Sequence, residues 1–352
     1  MKRIRLMIVV AGLMACMAAK AQNDVALATL QHGDEVSVFK GPSALASAIA
    51  AASDEGDNVI TLSQGTFTAT QITKPVSIYG AGFETDNEKG TLLTKISGDL
   101  TVGKGGNTTL SNVHLEGFYL DGEMRVGGDY GSGPLENLRV VKVKAKSMLA
   151  WSTSSNTSFD KCVILGSFDC DKAGGANGVY DFYFSNCIMS RGSFRNYKMT
   201  GSSIVLDHCL FNAYHNSNST TGGPFSGSHN EILTLKNSIY MKASGSGTVY
   251  GWLAGSDIQG CISDMNISGF ENCYQVALAI IFEDGEDGTY SPDRTYVLNP
   301  EQSSEWIGTD GTEIGLHGGN GWSKVPSTPV VKNLSVTPDG TNLNVTYEAE
   351  VR

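Results

Sequence analysis

The chain is short of charge, and shortest of positive charge. Charged residues make up 17% of its 352 residues, with 25 Lys and Arg against 36 Asp and Glu, a net charge of −11. Removing the four basic residues of the first 21 (Lys2, Arg3, Arg5, Lys20) leaves −15 for the rest. A surface this acidic excludes the phosphate-neutralising chemistry of nucleic-acid binders. Proline is scarce at 9. No apolar run beyond the N-terminus approaches the ~18–20 residues needed to span a bilayer. No pair of cysteines has the CxxC spacing of a zinc site. What the chain does have is 42 glycines and short apolar phrases between them. That composition fits a turn-rich β protein better than a helical bundle.

The N-terminus reads as an export signal. "MKRIRLMIVVAGLMACMAAKAQ" has a basic start, an apolar stretch from Leu6 to Ala19 and a small-x-small site at Ala19-Lys20-Ala21. A lipoprotein box ending at Cys16 is the alternative. The mature protein is expected to be exported, in the periplasm, at the cell surface or secreted.

One phrase is written several times: "FDKCVILGSFD" (159–169), "FSNCIMSRGSFR" (184–195) and "LDHCLFNAYH" (206–215). The pattern apolar-x-x-(Cys/Val/Ser) recurs at Leu110/Val113, Leu138/Val141, Phe159/Cys162, Phe184/Cys187, Leu206/Cys209, Leu235/Ser238 and Ile258/Cys261. Upstream, Val59, Val76, Leu93 and Leu110 stand 17 residues apart. A repeat of this length predicts a solenoid whose coils bury their faces against one another. β-rich phrases with Gly/Asn/Ser punctuation make it an all-β solenoid. About ten rungs at ~4.8 Å would stack to about 48 Å. The slot before the Cys holds Asn112, Lys161, Asn186, His208, Asn237, Gly260 and Asn272. Asn and Gly there predict a tight bend with left-handed backbone.

These phrases resemble the pectate-lyase-like right-handed parallel β-helix superfamily, in particular its secreted forms from gut Bacteroidetes. The resemblance covers residues 43–280. It begins with "SALASAIAAASDEGDNVITLSQGTF", which is similar to that family's Ala-rich capping helix and first rung, and includes "VSIYGAGFETD" and the "SNC"-type turns. "DGTEIGLHGG" (310–319) is similar to the family's closing phrase. The resemblance implies residues 22–57 as N-terminal strand and capping helix and 58–280 as a right-handed parallel β-helix. Residues 281–352 would be a C-terminal extension ending in a hairpin broken at Pro338-Asp339-Gly340. It also implies glycan binding on a lateral face. "IVLDHCLF" (204–211) is similar to the "WIDHC" phrase of pectate lyases, but His208 fills the bend slot and reads as structural. The Arg-x-Pro-x-x-Arg of those lyases and the "GHG" of polygalacturonases are absent.

Six cysteines remain after the signal. Stacked in parallel ~4.8 Å apart, Cys162, Cys187 and Cys209 fit a disulfide poorly and read as buried thiols. An aromatic follows each Cys strand: Phe118, Phe168, Phe194 and Tyr214. If these face inward, strand alternation turns Tyr119, Asp169, Arg195 and His215 outward, with Leu149 between the first two. Asp121, Trp151, Asp171 and Tyr197 follow on the same face. Rings beside carboxylates, an Arg and a His are the groups that hold a polysaccharide, a uronic-acid glycan above all. Tyr119, Asp121, Trp151 and Tyr197 are the candidate sugar-binding residues. The candidate catalytic residues are Asp169, Asp171, Arg195 and His215. A lyase needs a base for the proton α to a carboxyl and a cation for the resulting charge. Arg195 with Lys198 or His215 supplies both, and Asp169 with Asp171 would hold Ca²⁺. A hydrolase would pair two carboxylates about 5–9 Å apart. The alternative is a non-catalytic surface or adhesion protein whose flank is scaffold. A monomer is expected in either case.

Last, Val163, Ile188, Leu210, Ile239 and Ile262 should face outward, and all five are apolar. Such a column calls for a cover, and residues 281–352 are the candidate. The acidic stretch 282–288 within them is either a Ca²⁺ loop or solvated.

Overall fold

The computed structural model describes residues 26–86, 88, 91–127, 133–170, 179–190, 194–196, 201–213, 225–226, 234–242, 257–264, 267, 269–285, 290–327, 330–339 and 342–350. The chain is mostly β, wound as an all-β parallel solenoid between two long sheets.

The first sheet begins with an antiparallel pair, Glu35–Lys40 on Leu27–His32, which borders Asn58–Leu62. From there every strand is parallel: Val76–Tyr79, Leu110–Glu116, Leu135–Val141, Ser154–Asp160, Tyr180–Ser185, Ser203–Asp207, Thr234–Lys236 and Asp257–Gln259. The second sheet runs alongside, from Gly65–Thr68 and Thr94–Ser97 through Tyr119–Val126 and Lys144–Ala150 to Ile262–Ser263 and Tyr274–Gln275. Helix α1, Ala44–Ala51, buries Ala44, Leu45, Ala48 and Ile49 against the N-terminal strands. Two alanines on that face let the helix lie close to the sheet.

The space between the sheets is filled by columns of like side chains. Leu115, Val140, Phe159, Phe184, Leu206 and Leu235 stack rung on rung. Phe159 and Phe184 lie parallel with centroids 4.5 Å apart, and Phe168 meets both edge-on. That mixture of stacked and T-shaped contacts suits the ring quadrupole.

The bend behaves as the repeat predicts. Lys161, Asn186, His208, Asn237, Gly260 and Asn272 all have φ between 48° and 59°. The residue after each turns inward as a free cysteine or its substitute: Cys162, Cys187, Cys209, Ser238, Cys261 and Cys273. Backbone carbonyls accept from these thiols, as Phe159 O does from Cys187 Sγ at 3.3 Å. Burial pushes the Cys162, Cys209 and Cys261 thiols up, away from the reactive thiolate.

Three sequence alignments shift. The bends of the two earlier coils are Gly117 and Lys142, and Asn112 is not one of them. Asn112 is left-handed too, but inside its strand, where Asn137 Nδ2 donates to Asn112 Oδ1 at 3.1 Å and Asn156 Nδ2 to Asn137 Oδ1 at 2.7 Å. Each coil there carries two left-handed residues, so one apolar-x-Asn-apolar phrase occurs in two structural roles. The 17-residue spacing is not a register: Val76 pairs with Asn58 rather than Val59, and Leu93 leads into the second sheet. Phe118 occupies the inward bend-side column with Val143 and Cys162, while Phe168 and Phe194 are in register with Phe225.

The outward apolar column is covered. Val163, Ile188, Leu210, Ile239 and Ile262 lie in register on the second sheet and are all buried. Ile281, Phe282, Leu298, Trp306, Ile314 and Leu316 pack over them as a second core outside the coils. The chain then runs back along the line of bends as a strap. Asn237 Oδ1 accepts from Thr309 N at 2.7 Å, and His208 Nδ1 donates to Gly315 O at 3.1 Å. Asn186 Nδ2 donates to Leu316 O and Gly318 O, both at 2.9 Å. Lys161 Nζ donates to Asn320 O, Lys142 Nζ to Ser327 Oγ, and Ser327 N to Glu116 Oε1. A Cβ on Gly318 would sit 2.5 Å from the His208 ring, and one on Gly315 2.6 Å from Ile239. The strap's glycines are there for that closeness. A final hairpin pairs Val330–Asp339 with Asn342–Glu350.

Candidate functional site

Two register rows run along the second sheet. The bend-side row runs through Lys95, Tyr119 and Lys144 into the covered column that starts at Val163. The next row is Thr101, Arg125, Leu149, Asp169, Arg195 and Ser226. Asp169 and Arg195 are therefore neighbours on adjacent rungs, with Leu149 on the rung before, as the alternation of the repeated phrase predicts. Asp169 is buried, 4% exposed, and Ser167 Oγ lies 3.4 Å from its Oδ2.

Tyr119 and Asp121 fall elsewhere. Between Leu120 and Glu123 the strand register shifts, so the two rows of this coil are offset and Arg125 takes the rung expected for Tyr119. Tyr119 joins the bend-side row, where Lys144 Nζ stands 4.6 Å from its ring centroid and 2.7 Å from Glu84 Oε1. Asp121 lies at that irregularity, where Lys95 Nζ, Ser97 Oγ and Gly98 N each approach it at 2.8 Å. Burial alone would raise its pKa, but these donors outweigh it and hold the carboxyl below its ordinary range. Its oxygens serve the turn. Trp151 follows Ala150 at the strand end, half-buried, its backbone N donating to Val126 O at 3.0 Å. Asp171, Tyr197, Lys198 and His215 lie outside the described residues. The register partner of Phe194 is Phe225, so the rung after Arg195 belongs to Ser226 and the phrase "NAYH" does not supply it.

His208 is structural. It is 3% exposed, donates through Nδ1 to the strap and has Asp310 Oδ2 3.0 Å from Nε2. Among the described residues no group of three or more His, Cys, Asp and Glu gathers in metal-binding geometry. Glu283 and Asp284 are exposed, and residues 286–288 of the acidic stretch lie outside the described residues.

The sequence reading overlooked the outward face of the first sheet. Its central row includes Ser77, His114, Arg139, Ser158 and Tyr183. Beside it run Tyr79, Glu116, Asp160 and Asp207. Tyr183 is 44% exposed, and its hydroxyl donates to Asp207 Oδ2 at 3.0 Å. Tyr79 and His114 meet with ring centroids 5.0 Å apart. His114 Nε2 donates to Glu116 Oε2 at 3.0 Å. Burial would raise Glu116, yet the bonds from His114 and Ser327 and the nearby Lys142 hold it at about 2. Burial pushes Asp160 the other way, up. The signal was present as period-two alternation in "VSIY", "NVHLE" and "YDFYFS", where rings and polar groups alternate with core residues. In comparisons with known proteins, no family model matches the chain, and neither a curated protein nor a solved structure matches it.

Proposed function

We propose that this chain is an exported, right-handed parallel β-helix of about ten coils, of the pectate-lyase-like kind, that binds a polysaccharide along the flank of its second sheet. A uronic-acid glycan is the substrate class that an arginine in this row would select, and that arginine is Arg195, since the Arg125 guanidinium is taken by Asp99 and Glu123. The observation that carries the reading is the register of Asp169 against Arg195, with Leu149 on the rung before. Adjacent rungs lie about 4.8 Å apart, so the register puts an arginine and an aspartate at neighbouring positions along the solenoid axis. An Arg fork recognises carboxylates through paired hydrogen bonds. Asp169, a carboxylate that cleavage would use, is buried, which supports binding rather than cleavage.

The test is an array of linear uronate oligosaccharides probed with residues 22–352, with and without Ca²⁺, together with absorbance of unsaturated uronate products. Binding that weakens at least tenfold in Arg195→Ala is the expected result, about 1.4 kcal/mol. Equal binding by wild type and Arg195→Ala, or none to any uronate, overturns the site. Product formation that vanishes in the same variant would make the protein a lyase.

A further inference from the structure

The solenoid treats its two sheets differently. The apolar column of the second sheet is sealed by residues 281–316, whereas the outward row of the first sheet reaches solvent at Arg139 and Tyr183. Two rigid ring platforms stand on that open face. Tyr183 is held by its bond to Asp207, and the Tyr79–His114 pair is held by Glu116. His114 and Tyr183 are three rungs apart, about 14 Å at ~4.8 Å per rung. A pyranose unit in an extended chain is about as long as one rung, so two platforms this far apart match the ends of a short run of sugars.

Charge decides which sugars. Arg139 lies between the platforms and makes no ion pair among the described residues. Around it on the same face stand Glu116, Glu136, Asp160 and Asp181. Lys142 follows the rung of Glu116, Lys161 follows Asp160 and Lys236 is in register with Asp207, so the charges of this face come close to balance and offer a polyanion no cationic track, while both kinds of group hydrogen-bond hydroxyls. The row also leads into a cavity of 650 Å³ whose wall includes Ser77, Ser111, Asn112, Lys104 and Asp57. Ser77 belongs to both the row and the cavity.

We infer that the first sheet is a second glycan surface, for an uncharged linear polysaccharide lying along the solenoid axis. Its rings stack on Tyr183 and on Tyr79 with His114, its hydroxyls meet Arg139 and Asp160, and one end enters the cavity at Ser77. The inference rests on the reading of the chain as a glycan binder, but it uses none of the residues of the second-sheet flank.

The experiment is calorimetric titration of residues 22–352 with neutral β-linked and α-linked glucan, mannan and xylan oligosaccharides, set beside the uronate oligosaccharides. Variants are Tyr183→Ala, Tyr183→Phe, Arg139→Ala and Arg195→Ala, each checked for an unchanged melting temperature. Supporting results are binding of a neutral oligosaccharide that weakens at least tenfold in Tyr183→Ala and severalfold in Arg139→Ala. Tyr183→Phe and Arg195→Ala should leave it within twofold, and added salt should not weaken it. No neutral oligosaccharide bound, or one whose affinity ignores Tyr183→Ala, overturns the second surface. Uronate binding lost only in Arg195→Ala would then leave the first reading standing. Neutral binding without uronate binding would leave only the second surface.

Discussion

Asn186 offers the sharpest test of how the strap is held. It is buried at φ 49°, and its Nδ2 donates to Leu316 O and Gly318 O. Gly318 O also accepts from Gly321 N at 2.9 Å, so removing the Asn amide strips Leu316 O of its donor and Gly318 O of one of two. Asn186→Gly leaves the backbone free to keep its left-handed turn and deletes those donors, together with the Oδ1 that accepts from the Ser185 hydroxyl at 3.0 Å. An orphaned buried carbonyl costs about 1–3 kcal/mol, and a lost bond at a carbonyl that keeps another about 1. Glycine adds roughly 0.5–1 kcal/mol of unfolded-chain entropy. The expected loss is therefore about 3–4 kcal/mol. Asn186→Ala trades that entropy term for the cost of a Cβ in the left-handed conformation, about 1–2 kcal/mol, and should lose about 0.5–1 kcal/mol more than the Gly variant. At about 2 °C per kcal/mol for a chain of this size, the Gly variant should melt roughly 6–8 °C lower. Urea unfolding with Trp fluorescence measures the loss, and limited proteolysis locates it between residues 300 and 327. If Asn186→Gly lies within about 0.5 kcal/mol of wild type, as an ordinary surface change would, the strap is not held by the bend residues and the reasoning fails.

Three further outcomes follow from the same architecture. Gly318→Ala, whose Cβ would press on the His208 ring and Glu313 O, should lift the strap and expose the second core, read as ANS binding in a chain that keeps its far-UV signal. Glu116, held at about 2 against an ordinary 4.5, contributes stability that is present above pH ~4.5 and is lost as the pH falls toward 2. That is about 3 kcal/mol, so the difference between wild type and Glu116→Gln should shrink across that window in acid titrations of urea stability. Finally, a thiol reagent should leave Cys162, Cys187, Cys209 and Cys261 unmodified in the native protein and label them only with global unfolding. Rapid labelling of Cys187 would contradict its place inside the coil.

The parts legible in the sequence were those fixed by local backbone chemistry. Only Gly, Asn and a few others accept φ near 50°, so the slot before each Cys could be read as a bend, even where Lys161 or His208 fills it. The apolar column of Val163, Ile188, Leu210, Ile239 and Ile262 could be read as covered, because water tolerates no such row. Register was harder. Asn112 satisfies the bend pattern yet sits within a strand, and the irregularity after Leu120 moves Tyr119 out of the row that its neighbours suggested. Neither error shows in a period count, since both preserve the alternation and alter only which rung meets which. The strap's contacts were not legible at all. They join residues 72 to 211 positions apart, mostly through backbone groups, which every residue carries.

The bond from Ser327 N to Glu116 spans 211 residues and ties almost the last described coil contact to one of the earliest strands. A chain emerging from its N-terminus can wind coils as it appears, each on the one before. It cannot finish any of their outer sides. Until residues 281–316 arrive, every added coil lengthens an uncovered ribbon of Val, Ile and Leu, and the half-made solenoid is a better partner for another half-made solenoid than for water. Closure then proceeds in the opposite direction to growth, from Asn237 back toward Glu116. A chain truncated before residue 306 should consequently be wound but unsealed, and should associate with itself.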